Sequence, residues 1–223
     1  MKQLIVIALL AGTLSAGAQE LKKTGYTVEE LVPEGWTHTE ATGDLNKDGI
    51  TDMGVLTTPN FKENMKTRDD GYVYNFNHPV LAVYFGSSDG TLTMWRQYDN
   101  VVPGEESEAD MYDNSVSITD RGVMRIDLEY MMSMGGWGLS QSAYLYRYQN
   151  GDFYLIGHDA NNLQRNTGEM EEVSINYLTC KRQSITRNEF DKKVKRREKW
   201  TNIAKKPLKR LGEEELDTDL PED

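Results

Sequence analysis

Residues 143–158 read AYLYRYQNGDFYLIGH, and this stretch decides the fold class. Two runs rich in Tyr, Leu, Ile and Phe flank Asn150-Gly151. Asn-Gly tolerates the positive φ angles of a type I′ turn, the tightest link between antiparallel strands. The stretch therefore predicts a hairpin of Ala143–Gln149 with Asp152–His158. Towards the N-terminus, Val116–Thr119 leads into a turn at Asp120-Arg121-Gly122, and a strand of period two follows. There Met124, Ile126, Leu128 and Tyr130 face one way, and Arg125, Asp127 and Glu129 the other. Towards the C-terminus, Asn166-Thr167-Gly168 turns the chain into Glu172–Leu178. Four strands thus form a meander over roughly residues 122–178. Further upstream, Pro79–Phe85, the turn Ser87–Gly90 and Thr91–Trp95 repeat the pattern. The predicted class is all-β, mainly antiparallel hairpins forming a sandwich or an open barrel.

The chain has 223 residues, with 25 basic and 36 acidic side chains and a net charge of -11. This length suits one domain with a substantial core. The acidic balance argues against nucleic acid as a partner. No run after the first segment approaches the ~18 apolar residues of a membrane span. Residues 1–18, MKQLIVIALLAGTLSAGA, carry Lys2, a short apolar run and a small-x-small site at Ala16-Gly17-Ala18. That pattern predicts a signal peptide cleaved after Ala18, and a periplasmic or secreted product. Cys180 is then a lone thiol in an oxidising compartment, expected to be buried and inert.

The rest divides by composition into a β-domain over 19–186, a basic segment over 187–211 and an acidic tip over 212–223. From Lys181 to Leu211 there are 13 basic and 3 acidic residues, and Gly212–Asp223 holds 7 acids and no base. The split predicts docking of the basic segment on the acidic body and a disordered tip. Phe190, Val194, Trp200 and Ile203 are spaced too unevenly to choose between helix and strand. Residues 60–77 form a long connection, in which alternating Tyr72, Tyr74 and Phe76 suggest an extra strand.

One motif carries chemistry. Residues 43–52 read GDLNKDGITD. Asp44, Asn46, Asp48 and Asp52 place oxygens at positions one, three, five and nine of a loop. Gly49 takes the sharp turn at position six, and Ile50 offers its carbonyl at position seven. This is the start of an EF-hand-like calcium loop, since calcium takes six to eight hard oxygens at flexible geometry. Val55 stands where a bidentate Glu would close such a loop, so another geometry is required. The alternative is an acidic turn that holds two strands without metal.

The stretch GDLNKDGITDMGVL resembles a single FG-GAP (VCBS-like) calcium repeat of integrin-type propellers. LAVYFGSSDGTL is similar to the strand and turn of such repeats. More broadly, VPEGW (32–36), GDLNKDGITD (43–52), YRYQNGDFYLIGHD (146–159) and TGEMEEVSINYLTCK (167–181) resemble a family of exported bacterial proteins of unknown function. The resemblance implies that Asp44, Asn46, Asp48 and Asp52 ligate calcium, with Ile50 through its carbonyl, and that the ion is structural. It also implies a glycine where this chain has Cys180. A full propeller is excluded, because it needs at least four blades and only one such loop is present.

No nucleophile elbow, zinc-protease, Walker or dinucleotide motif occurs. His158-Asp159 could form an acid–base pair, and an exposed Trp137 within MMSMGGWG (131–138) could stack on a sugar. The expected function is that of an exported, calcium-binding, non-enzymatic module for a protein or glycan. The rival is an extracellular hydrolase of glycans or peptides using His158, Asp159 or an acidic pair.

Overall fold

A computed structural model describes residues 20–222. The expected signal peptide lies outside the described residues. The chain runs through β1 (Thr24–Gly25), the short helix α1 (Val28–Leu31), β2 (Thr37–Gly43), β3 (Asp52–Thr58), β4 (Met65–Thr67) and β5 (Val73–Asn75). It continues through β6 (Val80–Gly86), β7 (Leu92–Tyr98), β8 (Asp110–Ile118), β9 (Val123–Met132) and β10 (Gly138–Gln149). It ends with β11 (Asp152–Gln164), β12 (Glu169–Asn176), β13 (Lys181–Asn188) and β14 (Arg197–Asn202).

Two antiparallel sheets carry the architecture. The smaller has the order β1-β7-β6-β3-β2, and the larger is an uninterrupted meander from β14 back to β8. The predicted hairpin is present: Gln149 pairs with Asp152, and Asn150 and Gly151 take φ of 52° and 82°. The extra strand suggested for residues 60–77 is β5, paired with β4 as a separate small hairpin.

The sheets pack face to face, which is how half-apolar strands bury their inner sides. Leu56, Leu81, Val83 and Tyr98 of the smaller sheet meet Met124, Ile126, Leu128, Tyr144, Tyr146, Phe153 and Leu155 of the larger. The central strands β3 and β6 are buried on both faces. Their other side, with Met53, Val55, Val80, Ala82 and Tyr84, is covered by Leu21, Val28, Leu31, Val32 and Trp36. This is why residues 53–56 and 80–83 carry no polar side chain and show no alternation.

The C-terminal third is more closely built into the sheet than its composition suggests. The basic segment is not a separate element docked on the body. It supplies β13, which crosses the supposed boundary at residue 186, and β14, which ends the larger sheet. Residues 197–202, within the stretch left open, are strand. The acidic tip is ordered: Leu211 and Leu216 are 2% exposed within the main core. The Leu216 N–H donates to the Val101 carbonyl and the Leu211 N–H to that of Phe153. Two leucines flanking Glu213–Glu215 outweigh the charge that suggested disorder.

Candidate functional site

The Asp-rich loop joins β2 to β3, a strand–loop–strand setting. Leu45 anchors it from below and is fully buried. Lys47 and Gly49 take φ of 65° and 83°, bending the loop back on itself. Asp44 Oδ1 accepts the Asp48 N–H at 3.1 Å, and Oδ2 accepts the Gly49 N–H at 3.0 Å. Asn46 Oδ1 also accepts the Asp48 N–H, at 2.9 Å, and Asp48 Oδ1 accepts the Ile50 N–H at 2.8 Å. These are Asx turns, in which a short polar side chain stands in for a backbone acceptor.

Asp52 plays a different part from the other three. It is fully buried, and its carboxylate accepts three backbone N–H groups. Oδ2 takes those of Leu45 (2.8 Å) and Asn46 (3.2 Å), and Oδ1 takes that of Gly86 at the end of β6 (2.9 Å). Burial pushes its carboxyl above the ordinary range, while the three N–H bonds pull it back. The loop also abuts the larger sheet. A Cβ on Gly122, in the β8–β9 turn, would lie 2.2 Å from the Asp44 carbonyl oxygen. The loop therefore sits where one end of each sheet converges.

As a donor set, Asp44, Asn46, Asp48 and the Ile50 carbonyl are all hard oxygens on one short loop, which suits calcium. Each carboxylate oxygen retains a lone pair beyond the N–H it accepts. Val55, at the closing position, is fully buried in the outer core and offers no oxygen from its side chain. Among the described residues no three His, Cys, Asp or Glu side chains stand gathered as a metal-holding group. The loop carboxylates are turned to its own N–H groups instead.

A second site emerges only from the register of the larger sheet. Residues from six consecutive strands, β8 to β13, line one open cavity of about 480 Å³ on the side away from the core. The sheet thus curls into a half-barrel with a free concave face. One row across it is Ser115, Asp127, Ala143, Asp159, Ser174 and Gln183. The next is Asp113, Glu129, Gln141, Asn161, Glu172 and Ile185. A third row, beyond the cavity on the same face, is Met111, Met131, Leu139, Leu163 and Met170, ending at Arg187 on β13. Arg125 bridges Asp127 at 2.7 Å and Asp159 at 3.9 Å, and Ser174 Oγ donates to Asp159 at 2.5 Å. Gln141 donates to Glu129, and Arg187 pairs with Glu172 at 2.6 Å.

The suggested acid–base pair is not brought together. Successive strand residues point to opposite faces. His158 lies on the core side, 5% exposed, stacked on Tyr144 with centroids 4.0 Å apart. Its Nε2 lies 3.3 Å from Ser142 Oγ. Burial lowers its pKa to about 4, so the ring is neutral at pH 7. Asp159 faces the concave cavity. A bulge at Ile156 sets this parity, because Tyr146 pairs with Leu155 but Leu145 with Gly157. Beyond His158, the last segment of the chain roofs a second cavity of about 510 Å³ with Lys209, Glu214 and Asp217.

Trp137 is 60% exposed at the β9–β10 turn. Cys180 is half-buried, a free thiol with φ of 53° between β12 and β13. That left-handed backbone favours glycine, the residue the resemblance implies at this position. Compared with protein-family models, with curated proteins and with solved structures, the chain finds no match in any of the three.

Proposed function

We propose that this chain is an exported, calcium-stabilised β-domain that acts as a non-enzymatic binding module for a protein or glycan. One observation carries the binding role. Six strands direct carboxylates, amides and hydroxyls into an open concave face that the core does not use. An antiparallel sheet commonly buries one face and leaves the other to solvent, and here the solvent face is curved into a polar cavity. The hydrolase reading has lost its His158–Asp159 pair to opposite faces of β11.

Calcium would be held by Asp44, Asn46, Asp48 and the Ile50 carbonyl, with Asp52 fixing the loop from beneath. Bound there, the ion supplies charge neutralisation and stiffness at the junction of the two sheets. The loop's carboxylates orient it through their free lone pairs, and the Asx turns keep the backbone in place. The test is a thermal melt of residues 19–223 in EDTA, in millimolar calcium and in magnesium. A calcium-specific rise in Tm is the expected result, by linkage of native-state binding to stability. No rise at saturating calcium would reduce the loop to turn chemistry. Export is tested separately by N-terminal sequencing of material from the host's medium or periplasm, where Gln19 is expected as the first residue.

A further inference from the structure

We infer that the concave face of the larger sheet docks an extended cationic polypeptide segment bearing apolar side chains. This deepens the binding-module reading above and rests on it. Five carboxylates line the cavity, on Asp113, Asp127, Glu129, Asp159 and Glu172, against one cation in the lining, Arg125, while Arg187 reaches Glu172 from the border. Their arrangement carries a standing cost. Asp113 and Glu129 are directly opposed on β8 and β9, and like charges in that relation repel. Arg125 answers Asp127 and Asp159, and Gln141 reaches Glu129, but no cation among the cavity-lining residues pairs with Asp113. A lysine or arginine from outside relieves what the register imposes.

The row bordering this acidic floor narrows the partner further. Met111 is 44% exposed, and Met131, Leu139, Leu163 and Met170 are half-buried beside it. Methionine is unbranched and polarizable, so such a border moulds itself to varied apolar side chains. Among the described residues lining the cavity none is aromatic, so a sugar ring finds no face to stack on there. Acidic floor and apolar border together fit a peptide that alternates basic and apolar residues. Six strands about 4.8 Å apart span roughly 24 Å, the length of about seven extended residues.

The experiment uses residues 19–223 and three labelled or competing probes, read by fluorescence polarisation at about 0.15 M salt. The probes are the heptapeptide Lys-Leu-Lys-Leu-Lys-Leu-Lys, its Glu-for-Lys counterpart and a neutral hexasaccharide. The basic peptide is expected to bind and the acidic one not. D113K/E129Q is expected to weaken binding at least about tenfold, with Tm unchanged or raised because the opposed charges are gone. Met131→Ser weakens it further, whereas E215K/E222K, on the chain's last segment, leaves it intact.

Equal loss in E215K/E222K would mean diffuse charge attraction and overturn the inference. So would binding indifferent to D113K/E129Q. Binding of the hexasaccharide alone would overturn the peptide assignment while leaving the module reading standing. Salt-sensitive self-association abolished by D113K/E129Q would make a second copy the occupant and overturn it too. Absence of binding by every probe would count against both readings of this face, with the calcium melt still deciding the loop.

Discussion

Asp52→Asn separates the scaffold of the Asp-rich loop from its ligands. The substitution keeps one oxygen, which can hold the Gly86 N–H, and puts an amide where Oδ2 accepts from Leu45 and Asn46. Two backbone donors then face a third. Leaving a buried donor unpaired costs about 1–3 kcal/mol. Leu45 is buried and pays in full, while half-buried Asn46 finds water. Removing a desolvated charge offsets part of the loss. The expected destabilisation is about 2 kcal/mol, measured by urea unfolding at pH 7 with tryptophan fluorescence, and it is the same in EDTA and in calcium. Asp48→Ala behaves differently. Asp48 is exposed, and its loss in EDTA removes only local turn bonds. On the calcium reading proposed above, a dissociation constant of about 0.1–1 mM, usual for extracellular modules, would make about 10 mM calcium add about 1.4–2.7 kcal/mol to the native protein. Asp48→Ala forfeits that gain. A cost below about 1 kcal/mol for Asp52→Asn in EDTA would refute the structural role, and equal losses for Asp48→Ala in both buffers would refute the ligand role.

Three further outcomes follow from the core and the turns. His158 has its folded pKa depressed from 6.5 to about 4, so the unfolded chain takes up a proton first as pH falls. Its stabilising contribution, roughly 3 kcal/mol, is present above pH 6.5 and lost progressively down to about 4. His158→Phe, which preserves the stack on Tyr144, should flatten that part of the pH–stability curve; an unchanged slope would contradict the buried neutral ring. Leu216→Ala should cost about 2–5 kcal/mol in urea unfolding, as for any buried leucine, whereas a disordered tip would cost nothing. Cys180→Gly should match or exceed the wild-type Tm and Cys180→Val should lower it, since φ of 53° suits glycine and strains a β-branched side chain; the reverse order would count against the left-handed turn.

Strand alternation and turn chemistry made the meander legible. Asn150-Gly151 and the even-numbered apolar positions of β9 each specify local backbone, and local backbone is what such patterns encode. The concave face was not legible, because it is a property of register across six strands. The bulge at Ile156 is the sharpest instance. It reverses which residues of β11 face the core, and nothing in YLIGHD marks one extra residue. Counting parity from Phe153 would place Asp159 inside and His158 outside, the opposite of what is found. Spacing groups Asp52 with Asp44, Asn46 and Asp48 because it treats all oxygen-bearing side chains alike. Only burial and the N–H of Gly86, 34 residues away, single it out. The tip read as solvated acid because composition averages over Leu216.

The placement of Leu211 and Leu216 bears on when folding can finish. The core between the sheets is complete only after the segment through residue 216 has joined it. The outer core needs residues 21–36, made first, to lie over β3 and β6. A nascent chain still tethered near its C-terminus holds every strand of both sheets yet lacks two of the leucines that close the space between them. Such a chain has a gap in its core where those two side chains belong.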